Sequence, residues 1–167
     1  MVLETERLLL RPLVPGDLKD VHEYCRQPGI GESAGWPHHK SERETKRILL
    51  LWIMEGYRFA IVYKSDKKVV GHFTVNPDSE GHNDVREIGF VINENYHNRG
   101  IISEIFPAVR KELSSLNVTA LTASCYQNNY VSRHVLEKLG FRLTGSASFY
   151  HYGTGKQEKT LEYEMKL

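Results

Sequence analysis

Residues 87–104 run from Glu87 through an apolar stretch to Asn98, Arg99 and Gly100, then to Ile101, Ile102, Ser103 and Glu104. Alternation in the first part predicts a strand and the apolar spacing after Gly100 predicts a helix, so a short loop joins the two. A helix N-terminus carries amides with no intrahelical acceptor and the positive end of the helix dipole, which together suit phosphate. Gly100 removes the side chain where a backbone must approach a ligand closely. Asn98 tolerates the left-handed backbone such a loop often needs. No Gly-Lys-Ser/Thr follows, so the segment is not a Walker loop, and it is not a Gly-x-Gly-x-x-Gly dinucleotide turn. By itself it leaves two readings open: a phosphate seat, or an ordinary turn before a helix.

A second segment, residues 128–141, places Asn129, Ser132, Val135, Leu136, Glu137, Lys138 and Leu139 on a short helix followed by Gly140 and Phe141. Asn129 reads as the N-cap, and Gly140 as a left-handed C-terminal cap with Phe141 as its hydrophobic partner. Together the two segments resemble the coenzyme A motifs of the general N-acetyltransferase (GNAT) superfamily. Within it they look most like the branch that acetylates alanine or serine N-termini of ribosomal proteins. The resemblance spans essentially the whole chain, from Glu4, Thr5, Glu6, Arg7 and Leu8 to the C-terminal segment. Its most specific part is Asn129-x-x-Ser132-x-x-Val135-Leu136-Glu137-Lys138-Leu139-Gly140-Phe141.

That resemblance implies acetyl transfer from acetyl-CoA to a primary amine by direct attack in a ternary complex. The acceptor it implies is a protein N-terminal α-amine or a small-molecule amine. The pantetheine arm of coenzyme A would pair with the backbone of Phe90, Val91 and Ile92 like an added strand. The pyrophosphate would rest on the amides of Asn98, Arg99, Gly100, Ile101, Ile102 and Ser103, and the arm would run beside Asn129 and Ser132. A thioester is already activated, so the protein has to orient a neutral amine, accept its proton and stabilise the oxyanion. Glu87 is the candidate base, directly or through water; the plainer reading is a solvated strand glutamate paired with a nearby Arg or Lys. Ser132 is the candidate donor to the leaving thiolate; the plainer reading is a helix serine bonding the carbonyl four residues back. The chain also departs from the family pattern. His97 stands where the pyrophosphate loop usually has Gln or Arg, and Ile102 where it usually has a small residue. A tyrosine that other branches carry four residues beyond Ser132 is Leu136 here. His97, Asn98 and Ile102 keep alive a second reading, a catalytically idle acyl-CoA-binding module.

The elements that must position these residues follow from periodicity. Residues 3–13 predict an opening strand. Asp17, after Pro15 and Gly16, predicts the N-cap of a helix with Leu18, Val21 and Cys25 inward. Ser41-x-x-Glu44 predicts a capping box for a second helix, with Ile48, Leu49 and Trp52 on one face and Gly56 as its stop. Strands are expected at 58–64, 69–76 and 85–93. The helix after Gly100 has Ile102, Ile105, Phe106, Val109, Leu113 and Leu116 as its apolar stripe, interrupted by Pro107, which removes an amide. A strand at 118–126 and a helix at 129–139, with Val131, Val135, Leu136 and Leu139 inward, follow. A closing hairpin of 141–152 and 158–167 turns around Gly153, Thr154 and Gly155. The order βααβββαβαββ gives an α/β fold, one domain over residues 1–167, with a mixed sheet of about seven strands flanked by four helices.

Composition narrows the function classes. The 167 residues carry 22 Lys+Arg against 21 Asp+Glu, a formal charge of +1, so no strong field points to nucleic acid or an anionic membrane. The longest apolar run, residues 48–54, is far short of the ~20 residues of a membrane span. The charged run after Met1 is unlike an apolar export segment. Two cysteines provide no disulfide framework, and the eight histidines show no metal-ligand spacing. Adjacent His38 and His39 read as exposed loop residues. A cytoplasmic enzyme without a metal, working as a monomer or homodimer, is the expectation.

Overall fold

The computed structural model describes residues 1–151 and 155–167. Their first strand is broken where one was predicted. β1 (Leu3–Glu4) and β2 (Leu8–Pro12) pair antiparallel, because the chain turns at Thr5, whose amide donates to the Leu8 carbonyl at 2.9 Å. That break gives the described residues eight strands where the sequence predicts about seven. α1 (Leu18–Cys25) follows without the predicted Asp17 cap. The Asp17 carboxylate instead accepts Arg11 Nη1 and Nη2 at 2.8 and 2.7 Å and the Val14 amide at 2.9 Å, pinning a 3-10 turn. Ser41 caps α2 (Glu42–Glu55) by accepting the Glu44 amide. Glu44 closes on the Lys40 amide at 2.7 Å rather than on Ser41, so the capping box forms one residue early.

β3 (Arg58–Tyr63), β4 (Lys68–Pro77) and β5 (Val85–Ile92) form an antiparallel meander. α3 (Ile101–Ser115) crosses over to β6 (Ala120–Tyr126), and α4 (Tyr130–Lys138) leads into the hairpin of β7 (Arg142–His151) and β8 (Lys156–Lys166). Gly153 and Thr154 of the predicted closing turn lie outside the described residues. The sheet order is β1-β2-β3-β4-β5-β6-β8-β7, and β5–β6 is its parallel pair.

Each face of the sheet buries its own cluster. α1 and α2 cover one face with Val21, Tyr24, Leu49 and Trp52 against Ala60, Val69 and Val91. α3 and α4 cover the other with Ile105, Phe106, Val109 and Leu136 against Ile61, Phe73, Ile88 and Leu121. Along β5 the side chains alternate between these clusters, as a period of two requires. Two predicted core residues are exposed instead: Leu116 at the end of α3 and Val131 in the first turn of α4. Both sit at helix ends, where the apolar stripe has already rotated away from the sheet. α3 continues through Pro107, whose ring faces solvent. No helix among the described residues is long and apolar enough to cross a membrane.

Candidate active site

β5 and β6 run side by side for only three residues, Val85 to Glu87 against Ala120 to Thr122. β6 then leaves with β8, and the two strands splay apart. A cavity of about 850 Å³ fills the wedge, within the usual size range of ligand pockets. It gathers Glu87, Phe90, Val91, Ile92, Asn98, Arg99, Gly100, Ile101, Ile102, Ser103, Asn129 and Ser132, so the two segments separated in sequence line one space.

One wall is backbone. Past Glu87, the free edge of β5 presents main-chain groups to the cavity, the arrangement that accepts an added strand. One of them is already used, since His97 Nε2 bonds the Ile92 carbonyl at 2.9 Å. The loop then makes two left-handed steps, Asn98 at φ 59° and Gly100 at φ 70°. Among the described residues no acceptor takes the amides of residues 98–103. A Cβ on Gly100 would meet nothing within 4 Å, so the space in front of this peptide is open. The side chains of Ile101 and Ile102 are buried in the α3 core, which leaves only their amides to the cavity. Ile102 therefore does not obstruct the loop, although a small residue was expected there. Unpaired amides at the start of a 15-residue helix, with open space before them, fit a pyrophosphate.

The start of α4 forms the next part. Asn129 is the N-cap as predicted, its Oδ1 accepting the Ser132 amide at 3.0 Å. Its Nδ2 reaches the Ser33 carbonyl at 3.4 Å, joining α4 to a loop that crosses from α1. That loop is held by Glu32. Burial alone would raise its pKa, but bonds from His38 and the Gly29 amide hold it at about 2. The Ser132 hydroxyl does not bond the carbonyl of residue 128. It lies against the Cys125 thiol, which burial pushes up in pKa and Ser132 draws back down.

The opposite wall is made of side chains. Glu87 is half-buried, between Asn76 on β4 and Thr122 on β6 in register. Among the described residues no cation and no hydrogen-bond donor engages its carboxylate, contrary to the solvated ion pair that the plainer reading expected. Arg86 turns to the carbonyls of Asn83 and Val85. Burial raises the pKa of Glu87, and the charges of Glu162 and Asp78 raise it further. Gly89, two residues on, leaves the floor bare, where a Cβ would strike Thr74 Oγ1 at 2.7 Å. Arg58, His72, Thr74, Asn76 and Trp36 complete this side. His72 is buried, bonds the Tyr24 hydroxyl through Nδ1 at 3.0 Å, and is held neutral by burial and by Arg58, with its pKa lowered to about 3. His39 is buried too, against Trp36 and Thr45, not exposed as its loop position suggested. Glu87 was singled out from the sequence; Arg58, His72, Thr74 and Asn76 were not. One signal was available: His72, Thr74 and Asn76 sit two apart in an otherwise apolar strand, a polar stripe on one face.

Residues 7–142 match the acetyltransferase (GNAT) domain family. The chain belongs to the GNAT acetyltransferases. Among its relatives is the uncharacterized N-acetyltransferase YjdG of Bacillus subtilis, 28% identical over 91% of this chain and 96% of that protein. A GNAT acetyltransferase structure from Bacillus anthracis superposes with a TM-score of 0.88 at 25% identity, covering 99% of this chain and 98% of the other. RimL, a ribosomal L7/L12 α-N-protein acetyltransferase solved with coenzyme A, shares the fold at a TM-score of 0.82 and 19% identity, covering 100% and 98%. As a GNAT enzyme the chain is an acyltransferase.

Proposed function

We propose that this GNAT enzyme transfers an acetyl group from acetyl-CoA to a primary amine by direct attack, with both substrates in the cavity together. Its acceptor is a protein N-terminal α-amine of the ribosomal-protein type or a small-molecule amine. The observation that carries the reading is the free, half-buried Glu87 carboxylate in the same cavity as the unpaired amides of residues 98–103.

The donor supplies an activated acetyl thioester; the chain supplies binding, orientation and proton handling. The amides of Asn98 to Ser103 would hold the pyrophosphate, and the free edge of Phe90 and Val91 would hold the arm. Glu87 accepts the proton of the attacking amine, directly or through a water. Its raised pKa makes it a better base than a solvated carboxylate, since base strength follows basicity. Ser132, which lines the same cavity, donates a hydrogen bond toward the departing sulfur. Leu136 has no proton to give, so no second donor stands one turn further along the helix.

Screening N-terminal peptides and small amines with acetyl-CoA, reading free thiol, tests the proposal. One acceptor class is expected to release thiol in step with acetylated product, and Glu87→Gln to suppress it. Coenzyme A binding with no turnover on any amine would leave the idle acyl-CoA-binding module in its place.

A further inference from the structure

Thr5 and Arg7 lie at the break between β1 and β2, almost a hundred residues before α3, yet both close on Glu104 in its first turn. The Thr5 hydroxyl donates to Glu104 Oε1 at 2.6 Å and the Arg7 amide to the same oxygen at 2.9 Å. Arg7 Nε donates to Oε2 at 2.6 Å. The other arm of the guanidinium, Nη2, lies 2.6 Å from the same Oε2 and also donates to the carbonyl of Arg99 at 2.9 Å. Glu104 returns to the same turn through its own amide, which donates to the Gly100 carbonyl at 3.0 Å. Burial would raise the Glu104 pKa, but its bonds to Thr5 and Arg7 hold it below the ordinary carboxylate range, so the pair is charged.

The bond to the Arg99 carbonyl has a geometric consequence. In a trans peptide the carbonyl and the next amide point in opposite directions. Holding the Arg99 carbonyl therefore also fixes the aim of the Gly100 N–H, away from Arg7 and toward the cavity that Gly100 lines. Among the described residues no other hydrogen bond engages that peptide. Gly100 has no side chain to wedge and open space around its Cα. The Arg99 side chain is committed elsewhere, with Nη2 on the Asn95 carbonyl and its guanidinium 4.5 Å above the Tyr96 ring. Among the described residues, Arg7 is the side chain that bonds the Arg99–Gly100 peptide.

We propose that Arg7 is a positioning residue for the donor: braced by Glu104, it sets the aim of the Gly100 amide onto the pyrophosphate of acetyl-CoA. This rests on reading residues 98–103 as the pyrophosphate seat. Arg7 acts through a fork, not through its charge. Lysine keeps the charge but loses the planar Nε and Nη2 pair that grips Glu104 and so orients Nη2 on the Arg99 carbonyl.

The test uses the full chain and coenzyme A as the probe, with affinity from calorimetry and amide signals from nitrogen-15 spectra. In the wild type, the Gly100 to Ser103 amides should shift on adding coenzyme A. Arg7→Lys and Arg7→Met should each weaken binding about tenfold, on the scale of one lost charge-assisted hydrogen bond. The response of Gly100 should shrink while Ile102 and Ser103 still respond. Glu104→Gln keeps the side-chain shape and removes the brace; it should show the same selective loss, and it carries the test if the Arg7 variants do not fold. Wild-type affinity in Arg7→Lys would overturn the proposal, since charge alone would then suffice. So would weakened binding with the Gly100 response intact. Wild-type amides of residues 100–103 that ignore coenzyme A would overturn the pyrophosphate seat itself, a different failure.

Discussion

The two walls of the cavity are built from different material. The wall proposed for the donor is main chain: a strand edge beyond Glu87 and the first amides of α3. The wall proposed for the acceptor is side chain: Arg58 from β3, His72, Thr74 and Asn76 from β4, Glu87 from β5, and Trp36 from the loop after α1. A wall of amides tolerates sequence change as long as the backbone path is kept. Ile102 buries its side chain in the core and leaves the loop amides as they are, whereas His97 turns its ring to the Ile92 carbonyl and occupies one acceptor of the strand edge. A wall of side chains changes its chemistry with each substitution. The family is therefore written in the first wall and the acceptor in the second.

The largest effect is expected where a side chain is forced into the wall of amides. Gly100→Glu puts a carboxylate in front of the amides, on a residue at φ 70° that resists any side chain. Coenzyme A should raise the melting temperature of the wild type by mass action. That rise should vanish in Gly100→Glu. A preserved rise would mean that the amides are not where the anion binds.

On the acceptor wall the corresponding change is Glu87→Gln. It is nearly isosteric and keeps the half-buried position, but it cannot take a proton. Turnover should fall by roughly ten- to a thousand-fold, the range of general acid–base catalysis. Coenzyme A affinity should hold, because the two walls are separate. If affinity falls and turnover survives, Glu87 belongs to the structure of the wedge rather than to proton transfer.

Ser132 stands where the walls meet, and Ser132→Ala should have an intermediate effect. About a tenfold loss of rate is expected, the scale of one hydrogen bond to a charged atom. The loss should shrink with an acyl donor whose thiol is more acidic, because that thiolate needs less help. Equal losses with both donors would move Ser132 from the chemical step to donor placement.

The contrast between the walls also explains what the sequence disclosed. The strand–loop–helix around Gly100 and the Asn129 cap are local patterns, spoken by neighbouring residues, and both lie where periodicity puts them. Glu87 lies on the strand where the same alternation puts it. Arg58, Trp36 and His72 were not legible as site residues, because three separate elements bring them to one face and no spacing links them. Arg7 was legible only as part of an N-terminal likeness, since its partner Glu104 is 97 positions away. Val131 and the broken opening strand show the other limit. Apolar periodicity identifies an element, and tertiary packing decides where it starts, stops and rotates.

The smallest effect should come from Glu162, which touches neither substrate in this reading but shares the face of Glu87. On β8 it pairs in register with Ser124 of β6, and its charge is the second cause, after burial, of the raised Glu87 pKa; Asp78 adds a third. A base works only when deprotonated, so the acid limb of kcat/KM should lie above the range of a solvated carboxylate. Glu162→Gln removes a negative charge that opposes ionisation of Glu87, so the Glu87 pKa should fall and the limb should move to lower pH. Burial remains, so the limb should not return all the way. A shift of a few tenths of a pH unit is expected, about the size of one screened charge across a half-open face. The plateau at high pH should be nearly unchanged, because Glu87 is already ionised there in both proteins. A limb that stays in place in Glu162→Gln would show that another group governs it. A limb that moves upward would show that Glu162 had been helping Glu87 to ionise.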